Sequence, residues 1–116
     1  MNTVRLVQFL PFRLDLLNEQ LWREETLLPL RPKPFAVLKF LVTHPGQVVT
    51  TEEVRKAVWS QTYVSAGVVR AYIRDLRAVL EDDPVQPRCI ETVGRQGYRF
   101  IAPLTPRPRA AVASLP

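Results

Sequence analysis

The sequence predicts an α+β fold: a small antiparallel sheet first, three helices in the middle and a β-hairpin last. Three observations carry this. Apolar residues alternate with polar ones between residues 8 and 30. The apolar period then changes to the helical one from Pro32 onward. Finally, two strand-like runs flank Gly94-Arg95-Gln96-Gly97 near the end.

In the first region Phe12, Leu14 and Leu16 fall on one face while Arg13 and Asp15 fall on the other. Asn18-Glu19 and Glu24-Glu25 interrupt this pattern as polar turns, and Gln20 to Arg23 and Thr26 to Leu30 read as further short strands. Such a meander has one face to cover, and helices must cover it. From Pro32 to His44, Phe35, Leu38, Leu41 and Val42 share a helical face, and Pro45-Gly46 stops the helix. Arg31 is a poor cap for its start, whereas Pro32 and Pro34 suit a first turn whose amides lack partners.

Val48-Val49 is suited to a brief strand. Thr50-x-x-Glu53 resembles a capping box and opens a second helix, Thr51 to Trp59, with Val54, Ala57 and Val58 on its inner face. A loop from Ser60 to Tyr63 leads to a third helix. This one starts near Ser65 and ends around Asp82, since Pro84 disfavours helical backbone at Asp83. Ile90 to Val93 and Tyr98 to Ile101 form the hairpin, whose two glycines supply positive φ in the turn. After Pro103 the proline- and alanine-rich composition predicts a domain of residues 1–104 and a linker or disordered tail, 105–116.

Composition narrows the function. The 116 residues fit one domain, and 47% apolar with 23% charged residues is globular. A net charge of +5, carried mostly by arginine, favours an anionic partner such as nucleic acid. Cys89 is the only cysteine, so no intramolecular disulfide forms, and a buried thiol in a reducing compartment is expected. No long apolar run and no secretory leader is seen, so the chain reads as cytoplasmic. Walker loop, metal cluster and activated nucleophile are all missing. The one histidine, His44, precedes Pro-Gly at a helix end, where capping or surface exposure suits it. The chain is expected to be no enzyme and to need no cofactor.

The third helix carries the functional signal. At about 100° per residue, Val69, Ile73, Leu76 and Leu80 fall in one narrow arc. Arg70, Arg74 and Arg77 form a second stripe about 100° round from it, flanked by Ala66, Gly67, Ala71 and Ala78. Like charges at this spacing cost a few tenths of a kcal/mol on an isolated helix, so helix stability does not explain them. A bare arginine face approaches nucleic acid closely, and arginine forks onto guanine edges. The alternative is a solvated face, with Arg77 near the helix end as an internal ion-pair partner. Tyr72 and Tyr63 lie near the basic face, too few for a single-strand stacking platform. Arg95 and Gln96 at the hairpin tip, with Arg99 behind them, offer a second contact. Tyr98 and Phe100 alternate with Arg99 as core residues.

Two helices joined by a short loop, the second striped with arginine, and then a glycine-turn hairpin make the pattern of a winged helix-turn-helix. The residues also resemble the OmpR/PhoB-type C-terminal domain of transcriptional regulators. The resemblance rests on the meander before Leu30, Pro32-Lys33-Pro34-Phe35-Ala36-Val37-Leu38 and His44-Pro45-Gly46-Gln47-Val48-Val49-Thr50. It continues through Ala57-Val58-Trp59, the run Val64 to Leu80, Ile90-Glu91-Thr92-Val93 and Gly97-Tyr98-Arg99-Phe100. It covers residues 8 to 103 in order.

That resemblance implies a four-stranded N-terminal sheet, three helices and a C-terminal wing. It implies sequence-specific binding of double-stranded DNA, with the third helix in the major groove and the wing in the adjacent minor groove. Arg74 looks like the base-reading arginine, Arg99 like the wing arginine, and Gln96 takes a wing-tip position. Gly67 stands where the family often has an arginine or another polar contact, and Gly94-Arg95 stands where Arg-Gly is frequent. The loop Trp59-Ser60-Gln61-Thr62-Tyr63 resembles the segment through which relatives touch RNA polymerase. Relatives often bind tandem half-sites while the isolated domain is monomeric, so the resemblance implies dimer or tandem binding on DNA. No receiver domain precedes the pattern, an order in which a sensor or effector region is expected beyond residue 116. A winged helix used only for protein interaction is the competing reading, and Gly67 with the altered wing keeps it open.

Overall fold

Alternation in the first thirty residues does produce a sheet. The computed structural model describes residues 4–108. Their elements run β1 (Val4–Phe9), β2 (Phe12–Asp15), β3 (Gln20–Arg23), β4 (Thr26–Leu28), α1 (Pro32–Val42), β5 (Val48–Thr50), α2 (Thr51–Val58), α3 (Ala66–Leu80), β6 (Ile90–Val93), β7 (Gly97–Phe100) and β8 (Thr105–Pro108). They form two compact units: the first holds the chain up to Leu30 and again from Pro103, the second Arg31–Ala102.

In the first unit the strands lie in the order β4-β3-β2-β1-β8, each antiparallel to its neighbour. Val7 lies opposite Leu14, and Leu14 opposite Leu21, so these residues form one buried row across three strands. Phe9 and Phe12 extend it, with ring centroids 5.5 Å apart. On the other face Arg13 lies over its cross-strand partner Trp22, 5.4 Å from the ring centre. Leu16 does not continue the buried row as expected. The Asp15 carboxylate accepts hydrogen bonds from the Leu17 and Asn18 amides, at 3.0 and 2.9 Å, and ends the strand one residue earlier. β4 likewise stops at Leu28 rather than Leu30.

The meander gains a fifth strand. Thr105–Pro108, expected to begin the linker, pairs with β1 instead. Proline is compatible because β8 is an edge strand, where a missing N–H costs no ladder bond. Residues 109–116, the rest of the expected tail, lie outside the described residues.

The second unit packs its three helices on one another, with a sheet in the order β5-β7-β6. α1 begins at Arg31 without a side-chain cap and with proline in its first turn; Phe35, Leu38, Leu41 and Val42 are buried as the period predicts. At its other end His44 Nδ1 lies 2.8 Å from the Phe40 carbonyl, a capping position. The capping box of α2 is formed in both directions: Glu53 N–H donates to Thr50 Oγ1 at 2.9 Å and Thr50 N–H to Glu53 Oε1 at 2.8 Å. Val54 and Val58 are buried, but Ala57 is exposed, since it lies about 60° further round the helix than Val54.

α3 places Val69, Ile73, Leu76 and Leu80 in the core, none more than 3% exposed. It ends at Leu80, before the expected Asp82. Glu81 takes the left-handed conformation (φ 54°), and the Glu81 and Asp82 amides turn back to the Ala78 and Arg77 carbonyls at 3.3 and 2.8 Å. This closes a Schellman-type cap. The two wing glycines serve different ends. Gly94 has φ +50° and makes the turn, whereas Gly97 does not need positive φ. A Cβ on Gly97 would stand 2.0 Å from the Val49 carbonyl oxygen, so glycine there permits β7 to pair with β5. That pairing makes the wing sheet three-stranded, which the hairpin pattern alone does not reveal.

Candidate nucleic-acid interface

The arginine stripe divides into two kinds of residue. Arg70 and Arg74 are exposed, and no hydrogen bond or ion pair to another described residue is seen for either. The Arg70 guanidinium leans over the first turn, with Nη2 3.6 Å from where a Cβ on Gly67 would stand. Long helical side chains reach back over the preceding turn, and here that turn is bare. Gly67 therefore offers no side chain of its own but gives Arg70 its place.

Arg77 behaves differently. It is half-buried, and its Nη2 donates to the Ile90 carbonyl at 2.9 Å and to Thr92 Oγ1 at 2.8 Å. Its Nε is buried with no partner among the described residues. The internal role anticipated for it is thus a hydrogen-bonded tie to β6 and not an ion pair. Tyr72 is not brought to the stripe. It lies on the opposite flank of α3, its ring edge-on to Trp59 with centroids 5.2 Å apart. A shallow cavity of about 350 Å³ opens beside it, lined also by Arg31, Pro32, Lys33, Pro34 and Asp75.

At the wing, Arg95 and Gln96 are exposed at the tip, where the Gln96 amide donates to the Val93 carbonyl at 2.9 Å. Arg95 makes no polar contact with another described residue. Arg99 does: its Nε and Nη2 donate to Glu91 Oε1 at 2.8 and 2.6 Å, across the β6–β7 pair. Tyr98 and Phe100 are buried, as alternation predicts, and burial pushes the Tyr98 hydroxyl above its usual range while Arg70 and Arg77 oppose this.

In the loop before α3, Ser60, Gln61 and Thr62 are exposed and Tyr63 is 77% exposed. Trp59 is buried and anchors the loop instead of displaying itself. Lys33 Nζ sits 5.8 Å from its ring centre and donates to the Val58 carbonyl at 2.9 Å. Arg55 lies over Tyr63 at 5.1 Å and pairs with Glu52, whose carboxyl it holds below the usual carboxylate range.

Sequence reasoning missed Asp82. It is the one buried charged residue among the described residues, and its carboxylate accepts from the amides of Arg88 (2.7 Å), Cys89 (3.2 Å) and Ile90 (2.9 Å). No periodic pattern announces this cap, because the carboxylate and its donors, six to eight residues on, meet only when the loop between them folds back. The Glu91–Arg99 pair was missed as well: the predicted turn Gly94–Gly97 sets Arg99 opposite Thr92, whereas the observed register has Val93 opposite Gly97 and so brings Glu91 opposite Arg99.

A helix pair followed by an arginine-tipped hairpin is a winged helix-turn-helix. Comparison with known proteins agrees. The family described as "Transcriptional regulatory protein, C terminal" matches residues 17–100. The transcriptional regulatory protein YrkP of Bacillus subtilis is 34% identical over 83 residues, which span 70% of this chain and 36% of that protein. Among solved structures, the response regulator DrrB of Thermotoga maritima, an OmpR/PhoB homologue, superposes with a TM-score of 0.78 at 33% identity, over 84% of this chain and 45% of that one. The RstA DNA-binding domain of Klebsiella pneumoniae, solved in complex with the RstA box, gives 0.75 at 28% identity, over 84% and 97%. This chain belongs to the OmpR/PhoB-type family of transcriptional regulator C-terminal domains, a family of regulators and not of enzymes. It spans well under half the length of the curated relatives it matches. Among the described residues no helix is long and apolar enough to cross a membrane.

Proposed function

We propose that this chain binds duplex DNA in a sequence-specific manner and so regulates transcription. In this reading α3 lies in the major groove, with Arg74 forked onto a base edge and Arg70 on a neighbouring base or phosphate. The wing enters the adjacent minor groove through Arg95 and Gln96. Arg95 takes the place the sequence resemblance gives Arg99, because Arg99 is engaged by Glu91 and Arg95 is not. The observation that carries the reading is the Arg70–Arg74 face on α3, unpaired among the described residues, beside a wing tip with a third such arginine, Arg95. The likeness to RstA, which was solved on its DNA box, supports it.

The exposed Ser60–Tyr63 segment is proposed to face RNA polymerase, tandem copies are proposed to share one operator, and a sensor or effector region is proposed to follow the tail. The cytoplasm is the proposed site of action. The test is Arg74→Ala on a selected duplex and on a scrambled one. Loss of a bidentate base contact is expected to cost about 1–3 kcal/mol on the selected duplex and much less on the scrambled one. Equal losses on both would make Arg74 a phosphate contact and refute base readout by this residue.

A further inference from the structure

β6 is an edge strand of the wing sheet, and an edge leaves backbone groups without ladder partners. At Ile90 both are taken by the end of α3. The Ile90 N–H donates to Asp82 Oδ2 at 2.9 Å, and the Ile90 carbonyl accepts from Arg77 Nη2 at 2.9 Å. Arg77 reaches on to Thr92 Oγ1 at 2.8 Å, and Asp82 also holds the Arg88 and Cys89 amides. The two anchors are themselves tied, since the Asp82 N–H donates to the Arg77 carbonyl at 2.8 Å in the helix cap. Arg77 also gives up solvent at its Nε, which is buried without a partner among the described residues. An arginine placed only to attract phosphate would keep that nitrogen wet.

We propose that Arg77 and Asp82 form a joint that fixes the angle between α3 and the wing, and that Arg77 serves DNA recognition as a positioning residue acting through the wing. The inference rests on the DNA-binding reading above. Leverage gives it force. From Ile90 to the tip at Arg95 is five residues, or about 16 Å of strand at roughly 3.3 Å each. A tilt of about 10° at the joint then moves the tip by roughly 3 Å, as long as the hydrogen bonds it has to make. Simultaneous contact with two grooves depends on such an angle being held.

The test is a double-mutant cycle in the full chain, read by binding to a duplex selected for the wild type. Arg77→Met and Arg95→Ala are each expected to weaken binding by about tenfold, and the double variant by little more than either. Arg74→Ala is expected to combine multiplicatively with Arg77→Met. Thr92→Val, nearly isosteric, removes only the hydroxyl and is expected to weaken binding about threefold, again without adding to Arg95→Ala. A double variant of Arg77→Met and Arg95→Ala that loses about a hundredfold would make Arg77 an independent contact and overturn the proposal. A second readout needs no DNA: in the free chain Arg77→Met is expected to speed amide exchange at Ile90 and Gln96 at least tenfold more than at Thr43 in α1's cap. Equal acceleration at all three, or none, overturns the joint even if duplex binding itself were to fail.

Discussion

Replacing Asp82 with asparagine tests how the end of α3 holds the wing. The native carboxylate accepts hydrogen bonds from three consecutive amides, those of Arg88, Cys89 and Ile90. Asparagine retains one acceptor oxygen, which the Arg88 and Cys89 amides are placed to share, since both already approach Oδ1. Its amide nitrogen then faces the Ile90 N–H, donor against donor. One buried amide is left unsatisfied, at about 1–3 kcal/mol, and two bonds lose their charge assistance, at about 0.5 kcal/mol each. The expected loss is thus about 2–4 kcal/mol, a large share of a typical domain stability of about 5–15 kcal/mol. At about 4–8 °C per kcal/mol for a domain of this size, Tm falls by roughly 8–30 °C. Urea and thermal denaturation followed by circular dichroism measure both quantities. A loss below about 1 kcal/mol would show that water or the backbone replaces the carboxylate, and would refute this account of the cap.

Two further outcomes follow from the same unit. Gly97→Ala sets a methyl 2.0 Å from the Val49 carbonyl oxygen and 2.8 Å from Thr50 Cα, both backbone atoms that cannot rotate aside. It is expected to cost about 3 kcal/mol in denaturation, whereas Gly67→Ala, which meets only side-chain atoms at 3.6 Å, is expected to stay within about 1 kcal/mol; equal costs would contradict the close-approach explanation. Cys89 provides a pH-dependent test. Burial, aided by the Asp82 charge, pushes its thiol up to about 11 from an ordinary value of 9.0. A raised folded-state value means that the unfolded chain ionises first, so this contribution to stability is present below about pH 9 and is lost as pH rises toward 11. The difference in stability between the wild type and Cys89→Ala is expected to shift against the wild type over that window, and a difference that stays constant from pH 8 to 11 would contradict it.

Much of the fold was legible because local chemistry determines it. The helical arc of Val69, Ile73, Leu76 and Leu80, the Thr50–Glu53 capping box and the alternation of Phe12 and Leu14 each need only a few neighbouring residues to be read. What escaped was non-local. The pairing of Thr105–Pro108 with β1 depends on two segments about a hundred residues apart, and its composition resembles a linker. The role of Gly97 depends on where β5 passes, and composition favours the turn explanation instead. At the interface, periodicity located the arginine stripe but treated its members as equals. Their division, with Arg70 and Arg74 exposed and Arg77 bound to β6, depends on where the hairpin lies against the helix end. Arg99 illustrates the same limit. A basic residue on a wing strand reads as a contact, and only its partner across the strand shows that it is already engaged.

The central claim is that the α3 face and the wing tip read duplex DNA by sequence. Selection of bound duplexes from a random library, with the full chain at micromolar concentration and low salt, tests it most directly. The account predicts enrichment of a defined site with G·C pairs where Arg74 reaches the major groove, and affinity for that site that falls steeply with added salt. Retention of no duplex, or of duplexes with no common sequence, would contradict it.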